Sequence, residues 1–254
     1  LSRFSQQSAI ATRGAEYPTI RISGQKPPSV TASISFHDLA AAIAVGEPIY
    51  GALTLSTRAM RQEVWADLGI PLALDDTALL ACLDSVSASS ADEFLAAFYW
   101  SQVFLGAPGT GMQMHQDTLR THVWAIHLEG EKQVVVCDPL QPHPGWGGRL
   151  QDHEDRMMDV DAFDPSGSFS ADPWLVEACE WVVLRPGELV HWPSSWFHQT
   201  RNGDILSLGA SGMALDATVA STFAKDLQSH PHATRKLRSA LDHCLQDLWG
   251  QQLP

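Results

Sequence analysis

Alternation of apolar and polar residues, rather than helical spacing, marks the middle of the chain. Between Tyr99 and Met213 short apolar runs recur: Trp100-Ser-Gln-Val-Phe-Leu, Thr121-His-Val-Trp-Ala-Ile-His-Leu, Gln133-Val-Val-Val-Cys and Trp181-Val-Val-Leu, parted by Gly and Pro turns. Several short strands at this spacing predict a barrel or sandwich. Upstream, from Ser35 to Phe98, the period lengthens. Ser35 and Asp38 form a capping-box-like pair, Met60, Val64 and Leu68 fall four apart, and Ser90 with Glu93 opens another helix. These helices are expected to pack outside the sheet. Residues 1 to 34 read as an irregular arm with one strand at Thr19-Ile-Arg-Ile. After Asp216 helical spacing returns, with Val219, Phe223 and Leu227 on one stripe and Leu237, Leu241, Cys244, Leu245 and Leu248 on a second that follows Pro231. The expected organisation is one domain over 1–254: an N-terminal arm and helices (1–97), a strand-rich core (98–213) and a C-terminal helix pair (214–254).

Composition narrows the function classes. A chain of 254 residues, 44% of them hydrophobic, can bury one sizeable core. No run approaches the roughly 18 to 20 apolar residues a bilayer crossing needs, and the start lacks an apolar leader stretch, so a soluble, cytoplasmic protein with no membrane partner is expected. Cys82, Cys137, Cys179 and Cys244 lie far apart, which predicts free thiols in a reducing compartment. The formal net charge of −13 argues against nucleic acid as a partner, because phosphate binding needs clustered Lys and Arg. Lysine is scarce, and Lys132 stands alone between Lys26 and Lys225.

The sharpest chemical feature is Met114-His115-Gln116-Asp117. Residues two apart point the same way from an extended chain, so one segment offers an imidazole and a carboxylate to one ion. A third ligand must come from elsewhere, and His198, 81 residues beyond Asp117, closes the strand region after Pro193-Ser-Ser-Trp-Phe. Two His and one carboxylate on one face are the donor set of mononuclear non-haem iron(II) oxygenases.

The surroundings of these residues strengthen the reading. The stretch from Phe104 to Asp117 resembles the entry to the metal site of the jumonji C (JmjC)-like and cupin-like oxygenases. Gly130-Glu131-Lys132 is similar to the family's Gly-x-Lys turn, and Leu184-Arg-Pro-Gly-Glu through Pro193-Ser-Ser-Trp-Phe-His198 to its Pro-Gly-Asp/Glu and Pro-x-x-Trp-x-His strands. The motifs occur in the family's order from about Phe98 to Met213. The resemblance implies a mostly β fold with helical additions, whose core is a double-stranded β-helix (a jelly roll). It also implies His115, Asp117 and His198 as metal ligands and catalytic centre, Fe(II) and 2-oxoglutarate as cofactors, and a dioxygenase that hydroxylates a peptide or small molecule.

By the same resemblance Lys132 anchors the far carboxylate of 2-oxoglutarate, and it shares strand parity with Val134 and Val136. Where many relatives place a Thr three residues before the first ligand, this sequence has Met112. Thr110, Tyr99 and Thr121 are candidates to supply the missing hydroxyl, and the sequence does not choose among them. His122, His127 and His191 are read as packed strand residues rather than ligands. Two other classes stay open: a metal-dependent cupin enzyme that does not use 2-oxoglutarate, and a non-catalytic binding module on the same fold.

Two expectations concern partners. The C-terminal stripes form a homodimer interface or else cover the barrel. Ten acidic residues between 138 and 180 against Arg149 and Arg156 give that stretch a formal charge of −8, which predicts a cationic substrate, an amine or a basic peptide, if the stretch lies at the barrel mouth.

Overall fold

The computed structural model describes residues 18–22, 30–70, 77–87, 89–139, 156–157, 161–164 and 177–250. Its first part holds the strands β1 (Pro18–Ile22), β2 (Val30–Ser35) and β3 (Tyr50–Thr54) with the helices α1 (Phe36–Ala44), α2 (Arg58–Leu68), α3 (Thr77–Val86) and α4 (Ser90–Ala97). The strands β4 (Ser101–Gly106), β5 (Gly111–Gln116), β6 (His122–Glu129), β7 (Lys132–Cys137), β8 (Arg156–Met157), β9 (Cys179–Leu184), β10 (Leu189–Trp192), β11 (Phe197–Asn202) and β12 (Ser207–Ala214) follow. Helices α5 (Ala217–Ser229) and α6 (Arg235–Trp249) end the described chain.

The strands form two antiparallel sheets, a larger one in the order β10-β6-β12-β4-β3-β1-β2 and a smaller one in the order β8-β5-β11-β7-β9. From β4 to β7 and again from β9 to β12 the chain alternates between the sheets, which makes the jelly-roll core that the resemblance implies. The N-terminal region departs from expectation in two places. Two strands, β1 and β2, stand where one was expected, and they pair as a hairpin. Within the span read as helical, β3 joins β1 to β4 and continues the large sheet. Five residues are too few for a period to show, so only the β-favouring Tyr50 and Thr54 after the Gly46 and Pro48 turn signals mark it.

The starts of α1 and α2 follow the capping rules, whereas α4 begins after Ser89, left-handed and without a side-chain cap. The Ser35 hydroxyl accepts from the Asp38 N–H at 3.0 Å and Thr57 caps α2 through the Met60 N–H at 3.1 Å, each satisfying an orphan donor of a first turn. Helix α2 stops at Gly69, whose φ of 68° suits a residue without a Cβ.

The stripes of α5 and α6 face inward. Phe223, Leu227, Leu237, Leu241 and Cys244 are fully buried in one cluster with Phe94 and Leu95 of α4 and Leu83 of α3. Each such side chain contributes about 1.5–3 kcal/mol by leaving water. These stripes are therefore covered within the single chain and need no second copy. The cysteines correct an expectation: Cys82 is bonded to Cys244 and Cys137 to Cys179, so the thiols are not free. Sequence distance hid both pairs. Cys137 and Cys179 face each other in the β7–β9 register, and the other bridge ties α3 to α6. The ground for expecting a reducing compartment falls with the free thiols. Among the described residues no helix is long and apolar enough to cross a membrane.

Candidate metal centre and cosubstrate pocket

The three ligand candidates converge. Pairing of β5 with β11 sets His198 directly opposite His115, and their ring centres lie 4.0 Å apart. Asp117, just past the end of β5, turns its carboxylate between them: Oδ1 is 3.6 Å from His115 Nε2 and Oδ2 is 3.5 Å from His198 Nε2. One nitrogen or oxygen from each of the three lies within 4.8 Å of the others, and among the described residues they are the group so placed. Two imidazoles and a carboxylate gathered in one corner fit a dication such as iron(II).

Local contacts orient these donors. His115 Nδ1 is 2.7 Å from the Gln113 carbonyl; a proton donated there puts the ring's lone pair on Nε2, the nitrogen facing Asp117. The Trp192 ring packs 4.4 Å from that of His198. The turn after Asp117 is unusual, with left-handed φ values of 63° at Leu119 and 49° at Arg120, a conformation that costs a non-glycine residue about 1–2 kcal/mol. Packing and charge hold it. Leu119 is buried in the core, Arg120 Nε donates to Asp226 Oδ2 of α5 at 2.6 Å with a second bond between the same side chains, and the Ser194 hydroxyl donates to the Arg120 carbonyl.

Electrostatics favour the ligating protonation states. Burial, then the neighbouring His115, pushes the His198 imidazole down to about 3 despite the pull of Asp117. Burial alone would raise the Asp117 carboxyl, but His198 and His115 outweigh it and hold it near 2. At neutral pH the corner thus presents neutral nitrogen and an ionised carboxylate, as a metal requires.

A cavity of about 460 Å³ between the sheets connects this corner to Lys132. Lys132, buried at 7% exposure, donates from Nζ to the Tyr50 hydroxyl at 3.3 Å. Its parity with Val134 and Val136 holds, and desolvation lowers its pKa to about 8. Tyr50 is stacked on Phe104 at 5.7 Å, and burial raises its phenol, partly offset by a hydrogen bond with Thr200, so it stays protonated. Thr200 lies across from Met112 on the paired strand and accepts the Met112 N–H at 3.3 Å. The hydroxyl absent at Met112 is therefore present one strand over.

The candidates for that hydroxyl separate. Tyr99 lines the cavity, 37% exposed. The Thr110 hydroxyl donates instead to the Ala107 carbonyl at 2.7 Å and accepts from Asn202 at 3.2 Å, and neither Thr110 nor Thr121 is on the cavity wall. Tyr50 and Thr200 are the polar residues that sequence reasoning missed. Alternative anchors are engaged elsewhere: Arg120 with Asp226, Arg185 with Glu131, and Arg201 with Gln133. His122 accepts the Ser194 N–H and faces Asp216, and His191 is exposed beside it, so neither enters the metal corner. Most of the acidic stretch, including Asp152, Glu154 and Asp155, lies outside the described residues.

Residues 57–217, well over half the chain, match the model of the cupin-like domain family. This chain belongs to the cupin-like domain family. Its relatives include the arginine-specific demethylase JMJ20 of Arabidopsis thaliana, 26% identical over 105 residues that make up 39% of this chain and 21% of the relative. The 2-oxoglutarate and iron-dependent oxygenase JMJD4 of Danio rerio is 27% identical over 109 residues, 39% of this chain and 23% of its own length. The chain thus spans between a fifth and a quarter of the curated relatives it matches. Among solved structures, the Drosophila melanogaster CENP-C cupin domain aligns over 45% of this chain and 60% of its own at 11% identity, with a TM-score of 0.27, too low to bear on the cupin-like assignment.

Proposed function

We propose that this cupin-like chain is a 2-oxoglutarate-dependent iron(II) oxygenase that hydroxylates a peptide or small molecule. One observation carries the reading: a single cavity holds a His-Asp-His corner at one side and a buried ammonium flanked by two hydroxyls at the other. His115, Asp117 and His198 would hold iron(II). Lys132 would bind the far carboxylate of 2-oxoglutarate by a charge-assisted hydrogen bond, with the Tyr50 phenol and the Thr200 hydroxyl as neutral partners. When bound, iron with 2-oxoglutarate supplies oxidation of a substrate C–H bond by dioxygen, with release of succinate and carbon dioxide. The chain's own contribution is positioning and exclusion of water: aromatic walls shield the site, and the ionised Asp117 balances part of the metal's charge.

The likeness to JMJD4, a 2-oxoglutarate and iron-dependent oxygenase, supports the oxygenase class. The acidic 138–180 stretch supports a basic substrate or basic flanks, and a homodimer would use surfaces other than the buried stripes of α5 and α6. The test is succinate formation from 2-oxoglutarate by the iron-loaded protein, with and without oxygen. Tight metal binding without succinate or bound 2-oxoglutarate would favour a cupin enzyme of another cofactor class, and no metal binding would favour a binding module.

A further inference from the structure

Across the inner face of the large sheet, side chains fall in rows set by the register. Phe104, Gly209 and His127 form one row, and Met213 and Val123 stand opposite each other in another. Between them Gln102 of β4 is paired with Ser211 of β12, which is paired in turn with Ala125 of β6. Both Gln102 and Ser211 line the cavity. The Gln102 amide nitrogen donates to the Thr54 hydroxyl at 3.4 Å, which leaves its oxygen as an acceptor, and the Ser211 hydroxyl has no hydrogen-bond partner among the described residues. A polar row of Gln102 and Ser211, bordered by the small Ala125, thus lies between the Phe104–Gly209–His127 row and the Met213–Val123 row.

Charge on the described wall is confined to groups the proposed chemistry already uses. The carboxylate is Asp117, flanked by His115 and His198, and the ammonium is Lys132. His127 is buried and held neutral, first by desolvation and then by Lys132, with a pKa near 4. Among the described residues a charged group entering the chamber meets no counter-charge beyond these, and an unpaired buried charge is strongly disfavoured. An amide offers both a donor and an acceptor, which matches the Gln102 oxygen and the Ser211 hydroxyl.

We propose that the substrate group admitted to this chamber is uncharged and bears a carboxamide, held by Gln102 and Ser211. This rests on the oxygenase reading for the metal corner and deepens it by naming what enters. It separates two roles: the acidic stretch acts on basic flanks outside, while the inserted group is neutral.

The test uses the manganese(II)-loaded full chain with capped single residues as probes: N-acetyl amides of glutamine, asparagine, norleucine, lysine, aspartate and ω-N-methylarginine. Binding is followed by paramagnetic broadening of probe side-chain protons in NMR. The glutamine or asparagine probe is expected to bind at least about tenfold more tightly than the charged probes and about three- to tenfold more tightly than norleucine, the range one or two neutral hydrogen bonds give. Gln102→Leu and Ser211→Ala should each bring the amide probe toward norleucine. Circular dichroism checks that they fold, and Ser211→Ala, the smaller change, carries the comparison if Gln102→Leu does not. Equal binding of the lysine or methylarginine probe, no effect of either variant, or no binding of any probe would overturn the proposal. Calorimetry of 2-oxoglutarate on the same wild-type sample tests the oxygenase reading separately: its failure removes that reading while the probe ranking is still read at the manganese.

Discussion

The two ends of the cavity are built in opposite ways. At the metal end, His115 and Asp117 come from one short segment and His198 from the strand hydrogen-bonded beside it, so the smaller sheet alone assembles the corner. At the anchor end, Lys132 and Thr200 come from the smaller sheet but Tyr50 comes from β3 of the larger one, 82 residues away from Lys132. The first therefore needs only the pairing of two strands within one sheet, and the second needs the closure of one sheet on the other. The metal corner should tolerate distortion of the sheet-to-sheet packing better than the anchor does.

The largest effect expected is from His198→Ala. It removes one of three ligands and should lower metal affinity by more than the 10- to 100-fold typical of losing a ligand's supporting partner, with turnover abolished. Bound iron per chain and succinate production check it; unchanged iron content with turnover intact would contradict the assignment. Lys132→Met should follow, weakening 2-oxoglutarate by about one to two decades, from the ~1.5–3 kcal/mol of a charge-assisted bond, while metal affinity stays near wild type. The same change should stabilise the apo protein. Burial lowers the Lys132 pKa from 10.5 to about 8, so the folded state disfavours the ammonium. Below pH 8 that costs about 3 kcal/mol, and the cost fades as pH rises from 8 to 10.5, where the unfolded chain holds the extra proton. Unfolding midpoints of wild type should thus approach those of Lys132→Met as pH rises through this window, and 2-oxoglutarate affinity should fall above pH 8.

What the sequence disclosed follows the same division. The His-x-Asp segment, the Pro-Ser-Ser-Trp-Phe-His198 segment and the parity of Lys132 are legible because each is carried by a pattern within one short stretch of chain. Parity was a sound guide where burial is not: β7 is covered on both faces, Val134 and Val136 by the main core and Val135 and Cys137 by a second cluster, so every residue after Gln133 reads as apolar. Tyr50, Thr200 and both disulfides were illegible because they depend on register between strands or helices distant in sequence. Met112 shows the limit in one position, since the hydroxyl expected there is supplied from the partner strand.

The clamp on the Asp117 turn, like the Trp192 ring against His198, ties the metal end to residues outside its two paired strands. Asp226→Ala leaves Arg120 without its carboxylate partners and frees a turn that carries two left-handed residues. Relaxation of that turn would move Asp117, and iron affinity should fall by about tenfold, at the low end for groups that support a ligand. Asp226→Asn, which keeps one acceptor, should recover part of it. A loss of stability with iron affinity unchanged would show that the clamp serves the fold alone.

The smallest effects test whether the anchor end is shared across the sheets. Tyr50→Phe keeps the ring stacked on Phe104 and removes only the hydroxyl that accepts from Lys132, and Thr200→Val removes the second hydroxyl at nearly constant volume. Each deletes one neutral hydrogen bond, about 0.5–1.5 kcal/mol, so 2-oxoglutarate affinity should fall about three- to tenfold with iron affinity unmoved. The two hydroxyls also bond each other, so their losses should not add: the double variant should lose less than the product of the single factors. Strict additivity would mean that Tyr50 and Thr200 act independently on the cosubstrate, and no effect from either would leave Lys132 as the whole anchor, making this end as local in origin as the metal corner.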